Sequence, residues 1–589
     1  MRTFRRLLGF LRPYRRGLLF SLLLAWAAMG MTVAIPALLG GAVQAIEDKN
    51  RDDILPLVLL LLGAGILRLA LTVARRLIAG KVSLNVEYDL RQTFYEHLQR
   101  LELGFFDTQQ TGQLMSRATV DLQSIRFFLG YGLIWVSQSF LTIAFAAVVM
   151  FIYDPLLALI ALAPVPVLVG VARRYSRLNR PAEQEVQQRV GEVTASAEES
   201  ISGIRIVKAF ARERYMLSRF SHAVDRVFDQ SMVSTRLQSF YTPFMGFLPS
   251  LGLAAVMLVG GRQVVNGSLG IGAFTAMTAY VVMLSGPVRW LGMSLSMAQR
   301  AVASGNRMFE ILDREPSMQS PPGAPALPPG GGRVELRDVT LRYDGNEPSL
   351  TGVSLQVEPG RTVALVGPTA SGKTSLVGLL ARLYDPSEGS VRIDGADIRE
   401  VDLLSLRSEI AFVADDSFLF SDTVAANIAY AHPDATIDDI ELAAKRAQAH
   451  EFITALPEGY DTIVGERGLT LSGGQRQRVA IARALLAEPR VLILDDATSS
   501  VDAQTETAIK QGLREAMQGR TTFIVAHRLS TISLADEIVV MDRGRVIDRG
   551  THDELLERCS LYSEIAEKGL EDSVYLQRDI EDREELARL

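Results

Sequence analysis

The sequence from residue 363 to residue 374 reads Val-Ala-Leu-Val-Gly-Pro-Thr-Ala-Ser-Gly-Lys-Thr and leads into the apolar run Ser375-Leu-Val-Gly-Leu-Leu. It fits the pattern G-x-x-x-x-G-K-[S/T] in the context that confirms it, after an apolar strand and before a helix. Glycines allow backbone N–H groups to close around phosphates, and the N-terminus of the following helix adds its dipole. The stretch therefore predicts a phosphate-binding loop, or P-loop, in an α/β domain.

The P-loop supplies a cation and a hydroxyl with separate expected roles. We expect Lys373 to neutralise the β- and γ-phosphates of a nucleotide and Thr374 to offer its hydroxyl to Mg²⁺. Val491-Leu-Ile-Leu-Asp495 predicts a buried strand that ends in a carboxylate, the arrangement that holds the metal in P-loop nucleotidases. ATP and Mg²⁺ are the predicted cofactors. The other candidate ATP contacts of the loop are Gly367, Ala370, Ser371, Gly372 and Ser375.

The charge of the chain is divided unequally along its length. Residues 1–332 carry eleven more basic than acidic residues, whereas residues 333–589 carry seventeen more acidic than basic residues. The basic residues of the first part flank long apolar runs, which is typical of the cytoplasmic side of a membrane protein and not of a nucleic-acid-binding surface. The single cysteine, Cys559, excludes a disulfide framework within the chain. We expect no nucleic-acid partner.

Six apolar runs in the first half are long enough to cross a membrane, for which a helix needs about 20 residues. The arginines before the first run hold the N-terminus in the cytoplasm, and an even number of spans returns the chain there. The first run lacks a small-residue cleavage site, so we expect a retained helix. The sequence predicts a multi-pass protein of the inner membrane of a bacterium with both termini cytoplasmic. The predicted spans are 17–46, 54–74, 127–153, 155–172, 240–260 and 271–293.

Ionisable and aromatic residues inside the spans are candidates for substrate contact. Arg68 lies well inside the second span, where burial of a charge is costly, so it is either functional or oriented towards water. Tyr241, Tyr280 and Trp290 either line a pocket for apolar ligands or anchor the helices at the membrane surface. None of these residues identifies a substrate.

Two inward connections, 76–126 and 173–236, are far longer than a turn requires. Apolar residues recur at three- and four-residue spacing from Val82 to Leu101, which predicts an amphipathic helix that extends the second span by about 25 residues, or roughly 37 Å. Hairpins of this length reach a separate domain, so we expect coupling turns that dock on it; ordinary capped loops are the alternative. The candidate coupling residues are Phe105, Asp107, Gly112, Arg117, Gly203 and Lys208.

The composition changes sharply after Asp313. Residues 316–332 are rich in Pro and Gly and read as a linker. From Val334 short strand-like runs alternate with helical runs, which predicts an α/β domain with a largely parallel sheet. We expect an all-α membrane domain with six helices over 1–315, the linker over 316–332, the α/β domain over 333–570 and an acidic, solvated tail over 571–589.

A second motif, Leu471-Ser472-Gly473-Gly474-Gln475, precedes a predicted helix that begins near Arg476. This motif resembles the signature of the ABC ATPases, and the resemblance to ABC exporters extends along the whole chain. Within it Tyr343 resembles the aromatic residue that stacks on adenine, although a strand tyrosine packed on its own sheet is the alternative. Residues 465–468 resemble the exporter-specific loop, and Ser499 to Asp502 resembles the D-loop. His527 resembles the switch histidine.

The resemblance implies a dimer in which two ATP molecules lie between two ATPase domains. Each site then pairs the P-loop of one chain with the signature of the other, so a second half-transporter is the implied partner. Ser472, Gly473 and Gly474 fit this role because they present a hydroxyl, unobstructed amides and a helix N-terminus to a γ-phosphate. Gln475 completes the motif. The implied activity is ATP-driven export of an amphipathic drug, lipid or peptide; an importer, a channel or a regulator on the same scaffold is the alternative.

The sequence departs from the family at its catalytic centre. The family usually has Glu after the metal-binding Asp, whereas this chain has Asp496, whose carboxylate reaches about 1.5 Å less far. Asp415 stands where the family has Gln, which exchanges an amide for a carboxylate beside the triphosphate and leaves a possible Mg²⁺ ligand. Ala370 replaces a usual Gly at an x position of the P-loop, which we expect to be a mild change. Two departures beside an intact signature favour the degenerate subunit of a heterodimeric exporter; a slow homodimer is the competing interpretation.

Overall fold

The computed structural model describes residues 2–343, 347–415, 417–465, 468, 470–495, 503–526 and 529–567, without the side chains of 285, 288–293, 295, 503–508, 529 and 530. The chain divides into two compact units. A helical unit contains 1–99 and 111–314, and an α/β unit contains 100–110 and 315–589. Residues 100–110, the turn of the first cytoplasmic hairpin, therefore belong to the α/β unit.

The helical unit is built from long helices joined by short turns. Its elements are α1 (Arg2–Gly9), α2 (Arg15–Glu47), α3 (Arg51–Arg100), α5 (Thr111–Ser116), a π-helical segment (Arg117–Asp121), α6 (Leu122–Phe127), a second π-helical segment (Phe128–Gly132), α7 (Leu133–Tyr153), α8 (Pro155–Leu162), α9 (Pro164–Ser202), α10 (Ile204–Ala209), α11 (Glu213–Val265) and α12 (Ile271–Leu312); α4 (Leu103–Thr108) lies in the turn assigned to the α/β unit.

The predicted membrane spans coincide with these helices. Five helical runs are long and apolar enough to cross a membrane, namely 15–47, 51–100, 111–153, 155–202 and 213–265. The sixth predicted span falls on α12, where the apolar run with described side chains covers Ile271–Leu284. Asp154 separates the third and fourth predicted spans: its carboxylate accepts a hydrogen bond from the backbone N–H of Leu157 at 2.8 Å, and Pro155 occupies the first turn of α8.

The core of the helical unit lies where α2, α7, α8, α11 and α12 meet. Tyr280 is fully buried there, and its hydroxyl donates to the carbonyl of Val33 at 2.7 Å. Tyr280 is therefore a packing residue, and its proposed place in a ligand pocket is wrong. A Cβ on Gly40 would lie 2.4 Å from the carbonyl oxygen of Gly272, so α2 and α12 approach more closely than a larger residue allows.

The predicted extension of the second span is confirmed, because α3 continues without a break from Arg51 to Arg100. Val82, Val86, Leu90 and Phe94 are buried along one face of its second half. The apolar half of α3 differs, since from Ile54 to Leu71 Ala64 alone is buried. Arg68 is exposed on this half.

The α/β unit contains two sheets. β1 (Val334–Arg342), β2 (Pro348–Val357), β4 (Glu388–Ile393) and β5 (Ala396–Asp397) form an antiparallel sheet of order β2-β1-β4-β5. The larger sheet has the order β10-β9-β3-β8-β7-β6, and its strands are β3 (Thr362–Val366), β6 (Ile410–Val413), β7 (Val491–Asp495), β8 (Thr521–Val525), β9 (Glu537–Asp542) and β10 (Arg545–Gly550). Only β10 is antiparallel within it, so the predicted parallel sheet is confirmed.

Helices cover these sheets. They are α13 (Lys373–Leu380), α14 (Leu403–Ser408), α15 (Val424–Ile428), α16 (Ile437–Arg446), α17 (His450–Thr454), α18 (Gly473–Leu486), α19 (Ala503–Met517), α20 (Leu529–Ile532) and α21 (His552–Arg558). The stretch predicted as a linker forms neither helix nor strand, yet it lies on the α/β unit. Leu327 is buried there, and its N–H donates to the hydroxyl of Ser405 at 2.9 Å.

Candidate nucleotide-binding site

The candidate site lies at one edge of the larger sheet. Because β3, β6, β7 and β8 are parallel, their carboxyl ends meet at the same edge. β3 ends at Val366 and leads into the P-loop, and β7 ends at Asp495. Asp415 follows β6 by two residues and is exposed at this edge. The sheet therefore brings the P-loop and two of the three predicted carboxylates to one side of the unit.

The P-loop has the geometry of a cradle for phosphates. A Cβ on Gly367 would lie 2.1 Å from the carbonyl oxygen of Met541, and Gly372 has a φ of +98°, so both positions require glycine. The ammonium group of Lys373 donates to the carbonyls of Gly367 at 2.8 Å and Pro368 at 2.9 Å, which holds the charge inside the loop. Thr374 is exposed in the first turn of α13.

These residues fit ATP and Mg²⁺. The loop offers a backbone cradle, a held ammonium group and the N-terminus of α13, all of which suit a triphosphate. The Thr374 hydroxyl and the Asp495 carboxylate supply hard oxygen ligands of the kind that Mg²⁺ prefers. Ser371 is buried behind them, with its hydroxyl 3.4 Å from the Lys373 ammonium group.

The backbone at Ala370 corrects one expectation. Ala370 has a φ of +64°, in the left-handed region that a residue with a Cβ adopts at a cost of about 1–2 kcal/mol. The motif accepts any side chain at position 370, but the backbone there has to adopt a left-handed conformation. Alanine here is a strained replacement for glycine and not the mild one that the motif suggests.

Tyr343 lies next to the P-loop helix. Its hydroxyl donates to the hydroxyl of Ser375 at 3.1 Å, one residue beyond Thr374. Its ring meets the ring of Tyr384 edge to face, with centroids 5.0 Å apart. This places a half-buried aromatic ring beside the predicted nucleotide site, and the adenine-stacking role of Tyr343 stays a prediction.

The signature motif caps a helix. α18 begins at Gly473, three residues before the predicted start, because Ser472 and Gln475 form a capping box. The N–H of Ser472 donates to Oε1 of Gln475 at 2.9 Å, and the N–H of Gln475 donates to the hydroxyl of Ser472 at 3.3 Å. Ser472 and Gly473 are exposed, whereas Leu471 and Gly474 are buried. The helix N-terminus therefore faces outward from this chain.

Three predicted site residues, Asp496, Asp502 and His527, lie outside the described residues, as do Glu466 and Arg467 of the loop before the signature. The last described residue before Asp496 is Asp495, which ends β7, and the last before His527 is Ala526, which directly follows β8.

The first predicted coupling turn contacts the ATPase fold. Phe105 of α4 is buried, and the hydroxyl of Tyr384 donates to a carboxylate oxygen of Asp107. Burial raises the pKa of Tyr384 above its ordinary value, and the hydrogen bond to the Asp107 carboxylate raises it further. The phenol therefore stays a donor at physiological pH. The N–H of Ser317 also donates to Glu102 at 3.2 Å. Sequence reasoning missed Tyr384 and Glu102, for which the chain carries no local signal.

The remaining coupling candidates are arranged differently. Arg117 lies in the helical unit, where it donates to the carbonyl of Arg307 at 3.2 Å, and Gly112 is exposed, so neither joins the contact of α4. Gly203 joins α9 to α10. Lys208 of α10 pairs with Glu213 at 2.8 Å. None of the side chains of α10 is buried in the structure.

Comparisons with known proteins agree with this arrangement. The family described as ABC transporter transmembrane region matches residues 18–288, and the ABC transporter family matches residues 350–499. An uncharacterized ABC transporter ATP-binding protein of Bacillus subtilis, YknU, is 39% identical over 96% of this chain and 97% of its own length. An ATP-dependent lipid A-core flippase of Syntrophus aciditrophicus is 36% identical over 95% of this chain and 94% of its own length.

A solved structure extends the agreement to the fold. The structure of a bacterial Atm1-family ABC exporter with ATP bound matches with a TM-score of 0.79 and 31% identity, and the match covers 94% of this chain and 98% of that one. Both domains thus match in one continuous chain. The protein belongs to the ABC transporters, as a half-transporter of the exporter type whose helical membrane domain is fused to an ATPase domain.

Proposed function

We propose that this chain is the degenerate-site half of a heterodimeric exporter that moves an amphipathic drug, lipid or peptide across the membrane. The observation that carries the proposal is a contrast within one ATPase domain. The signature is complete and capped, whereas Asp496 and Asp415 replace the family's Glu and Gln at the catalytic centre. Its signature then completes the fast site of a partner chain, and its own P-loop belongs to a slow site.

Hydrolysis at this chain's own site is expected to be slow because the side chain of Asp496 is short and Asp415 adds negative charge. A general base has to lie about 2.6–3.2 Å from the proton that it accepts, and an error of about 1 Å costs on the order of 10²-fold in rate. Asp496 falls short of a Glu by about that distance. Asp415, exposed at the same sheet edge, adds negative charge beside the triphosphate and lacks the N–H donor of an amide.

The substrate class and the topology rest on the membrane domain and on the relatives. One relative is named a lipid A-core flippase, and the five long apolar helices with the apolar start of α12 suit a substrate that partitions into the bilayer. The arginines before α2 favour cytoplasmic termini in a bacterial inner membrane. ATP then binds on the side from which the substrate is taken.

Coupling between the domains is proposed to run through α4 and α10. On the first route, Tyr343 beside the nucleotide touches Tyr384, and Tyr384 binds Asp107 of α4. On the second, the exposed apolar residues Ile204, Ile206 and Phe210 dock on the ATPase domain of the second chain. Each ATPase domain would then receive one turn from each half-transporter.

The composition of the dimer is tested by steady-state ATP hydrolysis. The purified chain alone and the chain with its candidate partner, the half-transporter of a neighbouring reading frame, are reconstituted in vesicles. We expect slow hydrolysis by the chain alone and fast hydrolysis, with ATP-driven transport, by the pair. Robust cooperative hydrolysis by the chain alone would overturn the heterodimer.

The first coupling route is tested by Tyr384→Phe, which keeps the ring and removes the hydrogen bond to Asp107. We expect reduced transport per ATP hydrolysed, with nucleotide affinity unchanged because Tyr343 keeps its aromatic neighbour. Tyr562→Phe is the matched control, since it removes another hydrogen-bonded tyrosine hydroxyl, 2.7 Å from Nδ1 of His552, within the same unit. A normal ratio of transport to hydrolysis in Tyr384→Phe excludes this route.

A further inference from the structure

The N-terminal helix α1 has two unlike faces. Its apolar face packs on the C-terminal end of α12, where Leu7 is fully buried, and just after the helix the ring of Phe10 lies 6.4 Å from that of Phe309. The other face lines a groove of about 490 Å³ formed by Arg2, Arg5, Arg6, Gly9 and Arg12. Arg2, Arg5, Arg6 and Gly9 recur at three- and four-residue spacing along α1, and Arg12 joins them from the turn that follows the helix.

Most of this positive charge has no carboxylate partner. Arg6 forms a bidentate pair with Asp313 at 2.6 Å, and its guanidinium carbon lies 3.8 Å above the ring of Phe309. Arg2, Arg5 and Arg12 are exposed and form no ion pair with any carboxylate in the described part of the chain. One arginine therefore fixes α1 to α12. Arg5 and Arg12 remain available to an external anion, as does Arg2, whose charge also acts on the Asp313 carboxylate without forming an ion pair.

The groove lies close to the start of the first membrane span. Arg12 is three residues from Arg15, where α2 begins, so the two backbones are at most about 11 Å apart. Consecutive turns, such as the hydrogen bond from the N–H of Arg15 to the carbonyl of Arg12, keep the connection compact. Arg15 and Arg16, also exposed, extend the basic surface towards the apolar run. The anion best placed to reach this surface is a membrane headgroup.

We propose that the groove of α1 binds the phosphate of an anionic phospholipid in the cytoplasmic leaflet. Clustered arginines beside a membrane span attract anionic lipids, and guanidinium groups match phosphate oxygens in pairs. The site also has a mechanical consequence. Because Arg6 holds Asp313, the residue directly after α12, the bound lipid steadies the C-terminal end of α12.

The test removes the free arginines and leaves the Asp313 pair intact. The triple variant Arg2→Gln, Arg5→Gln, Arg12→Gln is compared with Lys49→Gln, Arg51→Gln, Arg262→Gln. The control triple removes three exposed positive charges away from α1: Lys49 follows the C-terminal end of α2, Arg51 begins α3, and Arg262 lies in the last turn of α11. Both variants are made in the full chain and purified in detergent. Basal ATPase in phosphatidylcholine vesicles is expected to match the unaltered chain in both, which shows that each is folded.

Binding is measured as retention of phosphatidylglycerol, against phosphatidylcholine, by native mass spectrometry, together with the rise in apparent Tm on adding each lipid. Each basic side chain near an anionic surface strengthens binding by about fivefold, so we expect the α1 triple to bind phosphatidylglycerol about a hundredfold more weakly. The control triple is expected to bind like the unaltered chain. Equal retention by both triples would overturn the site.

A separate arm distinguishes the lipid from a soluble anion. Inorganic pyrophosphate is added at constant ionic strength in place of phosphatidylglycerol. If pyrophosphate raises the apparent Tm as much as the lipid does, and only in proteins that keep the α1 arginines, the groove is a soluble-anion site and the lipid assignment is wrong. We expect no such rise, and we expect phosphatidylglycerol to stimulate the ATPase of the unaltered chain and of the control triple but not of the α1 triple.

Discussion

The N-terminus of α18 and the edge of the parallel sheet hold the residues predicted for the two halves of an ATP site, and the two regions differ in structure. At α18 the signature residues Ser472 and Gln475 satisfy each other's backbone groups and leave the helix N-terminus outward-facing. At the sheet edge Ala370 occupies a left-handed backbone position, and Asp415 stands where the resemblance implies an amide. Because the two regions serve different ATP molecules in the proposed dimer, one is able to lose catalytic power while the other keeps it.

The largest expected effect comes from the intact side of this comparison. Ser472→Arg places a bulky side chain where the γ-phosphate of the partner's ATP binds, and we expect hydrolysis by the pair to fall by about 10²-fold or more. The measurement is steady-state ATPase of the reconstituted pair. Thr436→Arg is the matched control, because Thr436 caps α16 with the same kind of capping box, away from the signature.

The control distinguishes the effect of losing a helix cap from the effect of losing an ATP contact. Both substitutions remove a helix cap, which costs about 1 kcal/mol of stability. Only Ser472→Arg also blocks an ATP contact. If both variants lose hydrolysis equally, the signature of this chain is merely structural and the contrast between the two regions disappears.

A smaller effect is expected at the P-loop of the same chain. Lys373→Ala removes the ammonium group from the cradle, and hydrogen bonds to charged groups contribute about 1.5–3 kcal/mol, so affinity for Mg-ATP at this chain's own site should fall by roughly 10- to 150-fold. Calorimetry with the purified chain measures it. Lys445→Ala removes an equal charge from an exposed pair with Glu441 on the same unit and should leave affinity unchanged.

The effect of Asp496→Asn decides whether the two regions belong to one site or to two. In a heterodimer the fast site takes its base from the partner, so we expect the substitution to change hydrolysis by the pair by less than about tenfold, because a carboxylate that is already short of reach contributes little. In a homodimer both sites depend on Asp496, and its loss stops turnover. Steady-state ATPase of the pair and of the chain alone distinguishes the two.

Sequence reasoning was strong where chemistry fixes residue types at short spacing. The P-loop, Asp495 and the signature are contiguous patterns, and the structure places each on the predicted strand end or helix start. The start of α18 at Gly473 was also readable, because Ser472 and Gln475 have the spacing of a capping box. The period of the apolar residues likewise predicted the continuous helix α3.

The sequence was weak where contacts join distant residues or depend on backbone angles. Tyr384 and Asp107 are 277 positions apart, so no local pattern pairs them. The antiparallel sheet of β1, β2 and β4 depends on register between strands, which turn signals alone do not set. The φ of Ala370 is likewise invisible in the motif, since an x position names no constraint.

The smallest expected effect concerns that backbone angle. Ala370→Gly relieves about 1–2 kcal/mol of left-handed strain, while the extra freedom of glycine in the unfolded chain costs about 0.5–1 kcal/mol. The balance is a gain of about 0.5–1 kcal/mol, which raises the apparent Tm by about 1–4 °C.

Ala425→Gly is the matched control: Ala425 lies inside α15, where the same exchange lowers stability by about 1 kcal/mol. Gly372→Ala, at a φ of +98°, should lower the Tm as well. Thermal unfolding of the three variants measures the signs: a fall in Tm for Ala370→Gly like that of Ala425→Gly would show that Ala370 is unstrained, and the sheet edge would then differ from the signature in its carboxylates alone.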